Sequence, residues 1–203
     1  MKNGIGKFLE ASLEGAEAIV DTLTENEIVK SIPVVGTALK IISGSIDLRD
    51  RIFLSKIQRF IEEVETISRD QKSDFIEIIK VDKESISVAG ETALLVLDKL
   101  SDLKKAELLG LYYVSFLMGQ IDQYKFRRIA SAIDIGFIDD IEIFLSEGLD
   151  ELQSQKYFME SLSSSGITMI SSGKTVGAIG ELYYEASSMG RSMVEIWQEN
   201  KKS

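Results

Sequence analysis

Acidic side chains form the densest group of residues in the sequence that could do chemistry. Asp134, Asp139, Asp140 and Glu142 lie close together, and Asp139 and Glu142 are spaced to share one face of a helix. Such carboxylates can bind Mg²⁺ or act as general acid and base. The same pattern arises where carboxylates stabilise the first turn of a helix or cover a solvated face. We favour this structural interpretation, so no residue is assigned as a catalytic residue or a metal ligand.

A second pattern, Gly173-Lys174-Thr175, is similar to the end of a phosphate-binding loop. In that loop, backbone amides and the lysine hold phosphates while the hydroxyl contacts magnesium. The full motif needs a glycine five residues before Gly173, and Thr168 occupies that position. We therefore predict the loop of a β-hairpin here, and no nucleotide or other cofactor.

The composition removes most of the remaining catalytic schemes. The sequence contains no histidine and no cysteine, so the commonest general base, the thiol nucleophile and the usual transition-metal ligands are missing. A formal net charge of −10 opposes approach to the phosphate backbone of DNA. Residues 1–20 interleave charged with apolar side chains, unlike the apolar region of a secretory signal. We expect a cytoplasmic protein that is not an enzyme and does not bind ordinary duplex DNA.

The elements that carry these residues are mainly helices. Because Pro33 is the single proline, long periodic stretches run without a forced break. Apolar residues at three- and four-residue steps predict one helix over about 33–68, with a stripe formed by Val35, Leu39, Ile42, Ile46, Phe53, Ile57, Phe60, Val64 and Ile67. Further helices are predicted over 73–80, 85–99 and 102–117. Ser101 is the predicted N-cap of the last one. We expect residues 1–121 to form a helical bundle around a long central helix.

Residues 122–203 have a different pattern, which predicts an α+β module. Three short helices are predicted over 125–135, 137–145 and 149–162, followed by two strands over 167–171 and 182–186. This order, with the runs Leu162 to Ile167 and Tyr184 to Gly190, resembles a winged-helix domain, in which three helices precede a two-stranded wing and a closing helix. The resemblance implies that Leu162 packs inside, that Gly166 turns the chain into the first strand, and that Gly190 belongs to the start of the final helix.

Winged helices usually bind DNA through their third helix, but here that helix is acidic. Its polar residues include Asp150, Glu151, Gln155, Lys156 and Glu160. An acidic third helix fits the winged helices that serve as protein-docking or dimerisation modules. We therefore predict that these five residues contact a protein partner or a second copy of the chain.

The stretch from Ile28 to Ile46 is about as long as a bilayer is thick. Lys40 would lie near the middle of any span, where a lysine costs about 2.5 to 3.5 kcal/mol, so constitutive spanning is not expected. Conditional membrane contact is the alternative, through Ile32, Val35, Leu39, Ile42 and Ile46.

Two short runs of basic residues interrupt the acidic sequence. One comprises Arg49, Arg51, Lys56 and Arg59, and the other comprises Lys125, Arg127 and Arg128. Acidic residues lie within or beside both runs, so we favour local ion pairing over contacts with phosphates or lipid headgroups.

The segment from Ile32 to Ile61 also resembles a loosely defined group of uncharacterised bacterial and phage-associated helical proteins. They combine a glycine-containing apolar stretch with a following Arg-Asp-Arg-like run, here Arg49 to Arg51. The resemblance implies a setting in phage defence or mobile elements. The favoured function is a non-catalytic protein-interaction or regulatory protein. The alternatives are a membrane-active effector that uses residues 28–46 and, more weakly, an acidic inhibitor that mimics nucleic acid.

Overall fold

A computed structural model of the chain describes residues 48–64, 83–147, 149, 157–172 and 182–201. The chain divides into two compact units, Met1–Met118 and Gly119–Ser203. The expected boundary, after residue 121, lies three residues from this division. The described residues are mainly α-helical with one small antiparallel hairpin, which confirms the predicted fold class.

Three helices of the N-terminal unit lie within the described residues: α1 (Leu48–Val64), α2 (Lys83–Lys99) and α3 (Leu103–Leu117). The part of the predicted central helix that is described, 48–64, is helical, and its remainder falls outside the described residues. The apolar stripe of α1 packs along α3, and Ile57, Phe60 and Val64 are completely buried. The rings of Phe60 and Tyr113 lie 5.2 Å apart between centroids, which places an aromatic pair at the centre of this contact.

Gly110 marks the closest approach of α1 and α3. A Cβ atom placed on Gly110 would lie 2.7 Å from the carbonyl oxygen of Phe60 and 2.8 Å from Cβ of Glu63. The obstacle is therefore the backbone of α1 and a Cβ attached directly to it, which cannot rotate away. This crossing depends on a residue without a side chain.

The predicted N-cap of α3 is wrong by one residue. Asp102, and not Ser101, has the extended backbone of an N-cap, and its carboxylate accepts a hydrogen bond of 2.8 Å from the backbone N–H of Lys104. Because α3 begins at Leu103, the first-turn amide reaches the side chain of the residue immediately before the helix. Asp102 also places a negative charge at the positive end of the helix dipole.

The described residues of the C-terminal unit form, in order, α4 (Gln123–Ile135), α5 (Ile138–Glu147), α6 (Tyr157–Ser161), a 3₁₀ turn (Leu162–Ser165), β1 (Thr168–Ser172), β2 (Leu182–Ala186) and α7 (Ser188–Lys201). The strands pair antiparallel, with Thr168 opposite Ala186 and Ser172 opposite Leu182. Both predicted strands are confirmed within one residue. The loop predicted between them, which includes Lys174, lies outside the described residues.

The predicted third helix, over 149–162, ends differently in the structure. Residues 150–156 lie outside the described part of the chain, and the described helix ends at Ser161 and continues as a 3₁₀ turn. Ser163, Ser164 and Ser165 each donate a side-chain hydrogen bond to the carbonyl oxygen three residues earlier. Such local bonds compete with the α-helical pattern, which explains the tighter turn.

The hairpin is joined to α7 by contacts around Ser187. Its hydroxyl donates to the carbonyl oxygen of Gly166 at 2.7 Å and accepts from the backbone N–H of Gly190 at 3.0 Å. Gly166 has a left-handed conformation, and a side chain on Gly190 would collide with the carbonyl oxygen of Ile167. Leu162 is completely buried beneath this joint. The structure thus confirms the local expectations for Leu162, Gly166 and Gly190.

Candidate interaction surface

Four of the five residues predicted to contact a partner through the third helix, Asp150, Glu151, Gln155 and Lys156, lie outside the described residues. Glu160 is described, and it is exposed on α6. The five residues predicted to contact membrane, Ile32, Val35, Leu39, Ile42 and Ile46, also lie outside the described part. Within that part, no helix combines the length and the apolar character needed to cross a bilayer.

Two of the four residues in the acidic group of the C-terminal unit lie in the first turn of a helix. Asp139 and Asp140 lie in the first turn of α5, where their charge stabilises the helix N-terminus. Asp140 is buried and Asp139 is exposed, so the two carboxylates belong to different environments. Among the described residues, no three side chains of the metal-binding types come close enough together to hold an ion.

Side chains of the basic run in the N-terminal unit form contacts that hold its helices together. Lys56 is only 6% exposed, and its Nζ donates to the carbonyl oxygens of Leu97 at 2.9 Å and Asp98 at 3.0 Å. These carbonyls end α2, where a cation also meets the negative end of the helix dipole. Burial lowers the pKa of Lys56, and the nearby Asp98 carboxylate partly opposes this shift. Arg49 pairs with the same Asp98 at 3.4 Å, which joins two helices of the unit and differs from the predicted pairing with acidic neighbours in sequence.

A group of charged residues lies beside the Gly110 crossing. Arg59 pairs with Glu62 at 3.3 Å and with Glu107 at 3.6 Å, which links α1 to α3. Glu63 is half-buried, and its pKa is raised first by burial and then by the negative charges of Glu107 and Glu62. The helix crossing therefore holds a carboxylate in a place that disfavours its charged form.

The outer face of α4 is an exposed surface on a helix whose other side is buried. The opposite face of this helix packs into the core through Phe126, Ile129, Ala130 and Ile133, which are completely buried. The outer face carries Tyr124, Arg127, Arg128, Ser131 and Ile135, all of them exposed, with Asp134 half-buried at its edge. We call these six residues the α4 outer face.

Large apolar and cationic groups alternate on the α4 outer face. Tyr124 is 68% exposed and Ile135 is 58% exposed, although both have large apolar side chains. The guanidinium of Arg128 lies 5.9 Å from the centroid of the Tyr124 ring, within the range of a cation–π contact. Within the described residues, neither Arg127 nor Arg128 has a carboxylate in ion-pair distance. The local ion pairing predicted for this basic run is therefore not found among these residues.

Lys125, the third member of that basic run, faces another way. Its Nζ donates to the hydroxyl of Ser192 on α7 at 3.1 Å, so this lysine helps to hold α4 against α7. The three basic residues are neighbours in sequence, but the structure places their side chains in different surroundings. Lys125 serves the packing of the unit, whereas Arg127 and Arg128 project to solvent from a helix whose other side is fixed.

The hairpin presents a second exposed apolar strip. Ile170 and Leu182 lie on the same face of the sheet as the buried pair Thr168 and Ala186, but they are 59% and 61% exposed. Cross-strand neighbours on one face of an antiparallel pair lie close enough to form one surface. This strip adjoins residues 173–181, which the structure does not describe, so the candidate site rests on α4.

Comparison with known proteins returns no match among protein-family models, curated proteins or solved structures.

Sequence reasoning missed the α4 outer face, although a signal was present. Positions 124, 128, 131 and 135 repeat at helical spacing, like the buried set 126, 129, 130 and 133. In a helix with two such stripes, one stripe packs in the core and the other lies on a face that the core does not bury. The sequence alone did not tell which stripe faced the core, since Tyr124 and Ile135 are as suited to burial as Phe126 and Ile133.

Proposed function

We propose that the chain is a non-catalytic protein-interaction protein whose C-terminal unit binds a protein partner through the α4 outer face. The observation that carries this proposal is the exposure of Tyr124, Arg127, Arg128 and Ile135 on one side of a rigidly packed helix. Tyrosine and arginine are enriched among the residues that dominate binding energy at protein interfaces. A helix fixed by its core face presents them without a large ordering cost.

Charge supports a protein as the partner in preference to nucleic acid. The whole chain carries a formal charge of −10, and Asp134 lies on the same face as the two arginines. Phosphate binding gains from counterion release only where cationic side chains dominate the contact. The apolar areas of Ile135 and of Phe137, which is exposed just beyond α4, fit a protein surface better than a phosphate backbone.

The order of elements in the C-terminal unit also supports the proposal. Helices α4, α5 and α6, the β1–β2 hairpin and α7 follow one another as they do in the winged-helix domains that this region resembles. Several such domains act as docking modules, and we include that role in the proposal. The absence of histidine and cysteine from the sequence supports a role without catalysis. The bacterial regulatory or phage-defence setting belongs to the same proposal.

A photo-crosslinking residue placed at Ser131 tests the proposal. Ser131 is exposed at the middle of the α4 outer face, so a compact diazirine residue, much smaller than tryptophan, fits there without disturbing the core or blocking a partner. The matched control carries the same residue at Gln198, which is exposed on α7. In the native host, we expect a covalent adduct of defined mass from position 131 and not from position 198.

The adduct at position 131 should also disappear when Tyr124→Ala and Arg128→Ala are combined. This double variant removes the exposed ring and its cation while the buried face of α4 stays unchanged. Circular dichroism checks that the variant retains its helix content. Equal, diffuse crosslinking from positions 131 and 198 would overturn the proposed function.

A further inference from the structure

We infer that the α4 outer face binds a second copy of the same chain, with the two α4 helices antiparallel around a two-fold axis near Ser131. This inference rests on the proposed function, because it names the partner of the same face. Its basis is that the face is complementary to itself in charge and in apolar character.

A line along the surface of α4, parallel to the helix axis and through Ser131, divides the other residues of the α4 outer face into two groups. An α-helix turns by about 100° per residue, since it has about 3.6 residues per turn. Arg127 and Asp134 therefore lie on one side of Ser131, and Tyr124, Arg128 and Ile135 lie on the other. One side carries both signs of charge, and the other carries the apolar and aromatic groups with one cation.

A two-fold axis perpendicular to two antiparallel helices keeps each side facing the same side of the partner. A residue that precedes Ser131 in one subunit then lies at the same height along the helices as the residue of the partner subunit that follows Ser131 by the same number of positions. Arg127 precedes Ser131 by four residues and Asp134 follows it by three, so their heights differ by about 1.5 Å in the antiparallel pair. Arg127 thus meets Asp134 of the partner subunit, and the symmetry forms this pair twice.

On the other side of the line, the methylene stem of an arginine packs against an apolar side chain in the same arrangement. Arg128 precedes Ser131 by three residues and comes level with the apolar side chain of Ile135 of the partner subunit, within about 1.5 Å along the axis. The Tyr124 ring, which Arg128 already contacts, extends this apolar area towards the end of α4. Ser131 is small, so the two helices can approach closely where they cross.

A parallel arrangement of the two helices does not pair the opposite charges of the α4 outer face. With the helices parallel around a two-fold axis that runs along them, each side of one helix faces the opposite side of its partner at the same height, so Arg127 would lie beside Arg128 of the partner subunit and Asp134 beside Ile135 of the partner subunit. Like charges placed opposite each other disfavour association. The position of Asp134 on an otherwise cationic edge therefore selects the antiparallel pair.

Sedimentation of the full chain over a range of concentrations tests this inference. Wild type should reach twice the chain mass of 22.6 kDa. Arg127→Asp and Asp134→Arg should each weaken self-association by about tenfold or more, because each substitution places like charges opposite each other twice. Ser131→Trp should have a similar effect by blocking the crossing, and it touches no core residue. Arg191→Asp, at an exposed position on α7, is the matched charge control and should leave self-association unchanged.

Mixing the two charge variants gives the sharpest result. In a mixed pair, Asp at position 127 faces Arg at position 134, and Arg127 of the other chain faces Asp134, so both pairs are again opposite in charge. An equimolar mixture of Arg127→Asp and Asp134→Arg should therefore associate about as strongly as wild type, although each variant alone associates about tenfold more weakly or worse. This recovery also shows that both variants fold.

Other results would separate the inference from the proposed function. A wild-type chain that stays monomeric but gives a discrete crosslink to a different protein would overturn the inference and leave the proposed function standing. A dimer that is insensitive to Ser131→Trp and to both charge variants would also overturn it, as would variants that fail to associate when mixed. A monomer that gives no specific crosslink at position 131 would overturn both.

Discussion

Replacing Gly110 with alanine tests whether α1 and α3 are as close as the structure shows. The added Cβ would lie 2.7 Å from the carbonyl oxygen of Phe60. Carbon–oxygen contacts across packed helices are usually about 3.3 to 3.6 Å, so the helices must separate by roughly 0.6 to 0.9 Å. Overpacking of this kind costs about 1 to 3 kcal/mol, while alanine in place of glycine returns about 1 kcal/mol of helix propensity. Because the obstructing atoms are a backbone oxygen and a Cβ, the cost lies in the upper half of that range, and we expect a net loss of about 1 to 2 kcal/mol in the free energy of unfolding.

The identity of the obstructing atoms makes this prediction more specific. Phe60→Ala removes a completely buried ring and should itself cost about 3 to 5 kcal/mol. It leaves the carbonyl oxygen of residue 60 in place, so Gly110→Ala should remain destabilising in that background.

Urea unfolding followed by circular dichroism measures all three variants. Gln198→Ala, at an exposed helical position, is the control and should change stability by less than about 0.5 kcal/mol. A Gly110→Ala variant at least as stable as wild type would refute the close approach, and rescue of Gly110→Ala by Phe60→Ala would show that the ring, and not the backbone, fills the space.

Three further substitutions and one binding measurement test other parts of the structure. Lys56→Met should cost about 1 to 3 kcal/mol in urea unfolding, because two buried or half-buried carbonyl oxygens at the end of α2 lose their donor; an unchanged midpoint would contradict this. Glu63→Gln should stabilise the protein at neutral pH. The folded-state pKa of Glu63 is raised, so its favourable contribution is complete below its ordinary value of 4.5 and is lost as pH rises through the folded-state pKa. The difference from wild type should therefore vanish in acid, and a difference that does not depend on pH would show that another effect dominates. Ser187→Ala should cost about 1 to 2 kcal/mol through loss of the cap of α7, whereas Ser188→Ala at the exposed neighbouring position should be nearly neutral. Random-sequence duplex DNA should show no submicromolar binding at physiological salt, and such binding in a titration would contradict the charge argument.

The fold was predictable where one local signal decided the outcome. The apolar stripe of α1 and the alternation around the hairpin predicted elements that the structure contains, and Gly166 and Gly190 lie where close contacts or backbone geometry need glycine. The cap of α3 was misplaced because Ser101 and Asp102 are both good caps and only the backbone distinguishes them. The 3₁₀ turn after α6 depends on three serine side chains bonding backward, which the helical pattern does not show.

The contacts that matter for function were less accessible from sequence. Lys56 meets carbonyl oxygens at Leu97 and Asp98, far along the chain, and no periodicity indicates such a pair. Arg127 and Lys125 are close in sequence, yet one faces solvent and the other faces α7, and only the packing of α7 decides this. The predictions of membrane contact by residues 28–46 and of partner contact by Asp150 to Lys156 stay predictions.

The joint at Ser187 has a consequence for how the hairpin can move. One hydroxyl bonds both the turn before β1 and the first turn of α7, and Ser187 also donates its backbone N–H to Ile167. The base of the hairpin and the start of α7 must therefore open together or not at all. Amide protons at Ser187, Gly190 and Arg191 should exchange with solvent as one cooperative group. A load applied to the far end of the hairpin would reach α7 partly through the bonds of Ser187, so substitution of this residue should loosen the mechanical coupling of the two elements.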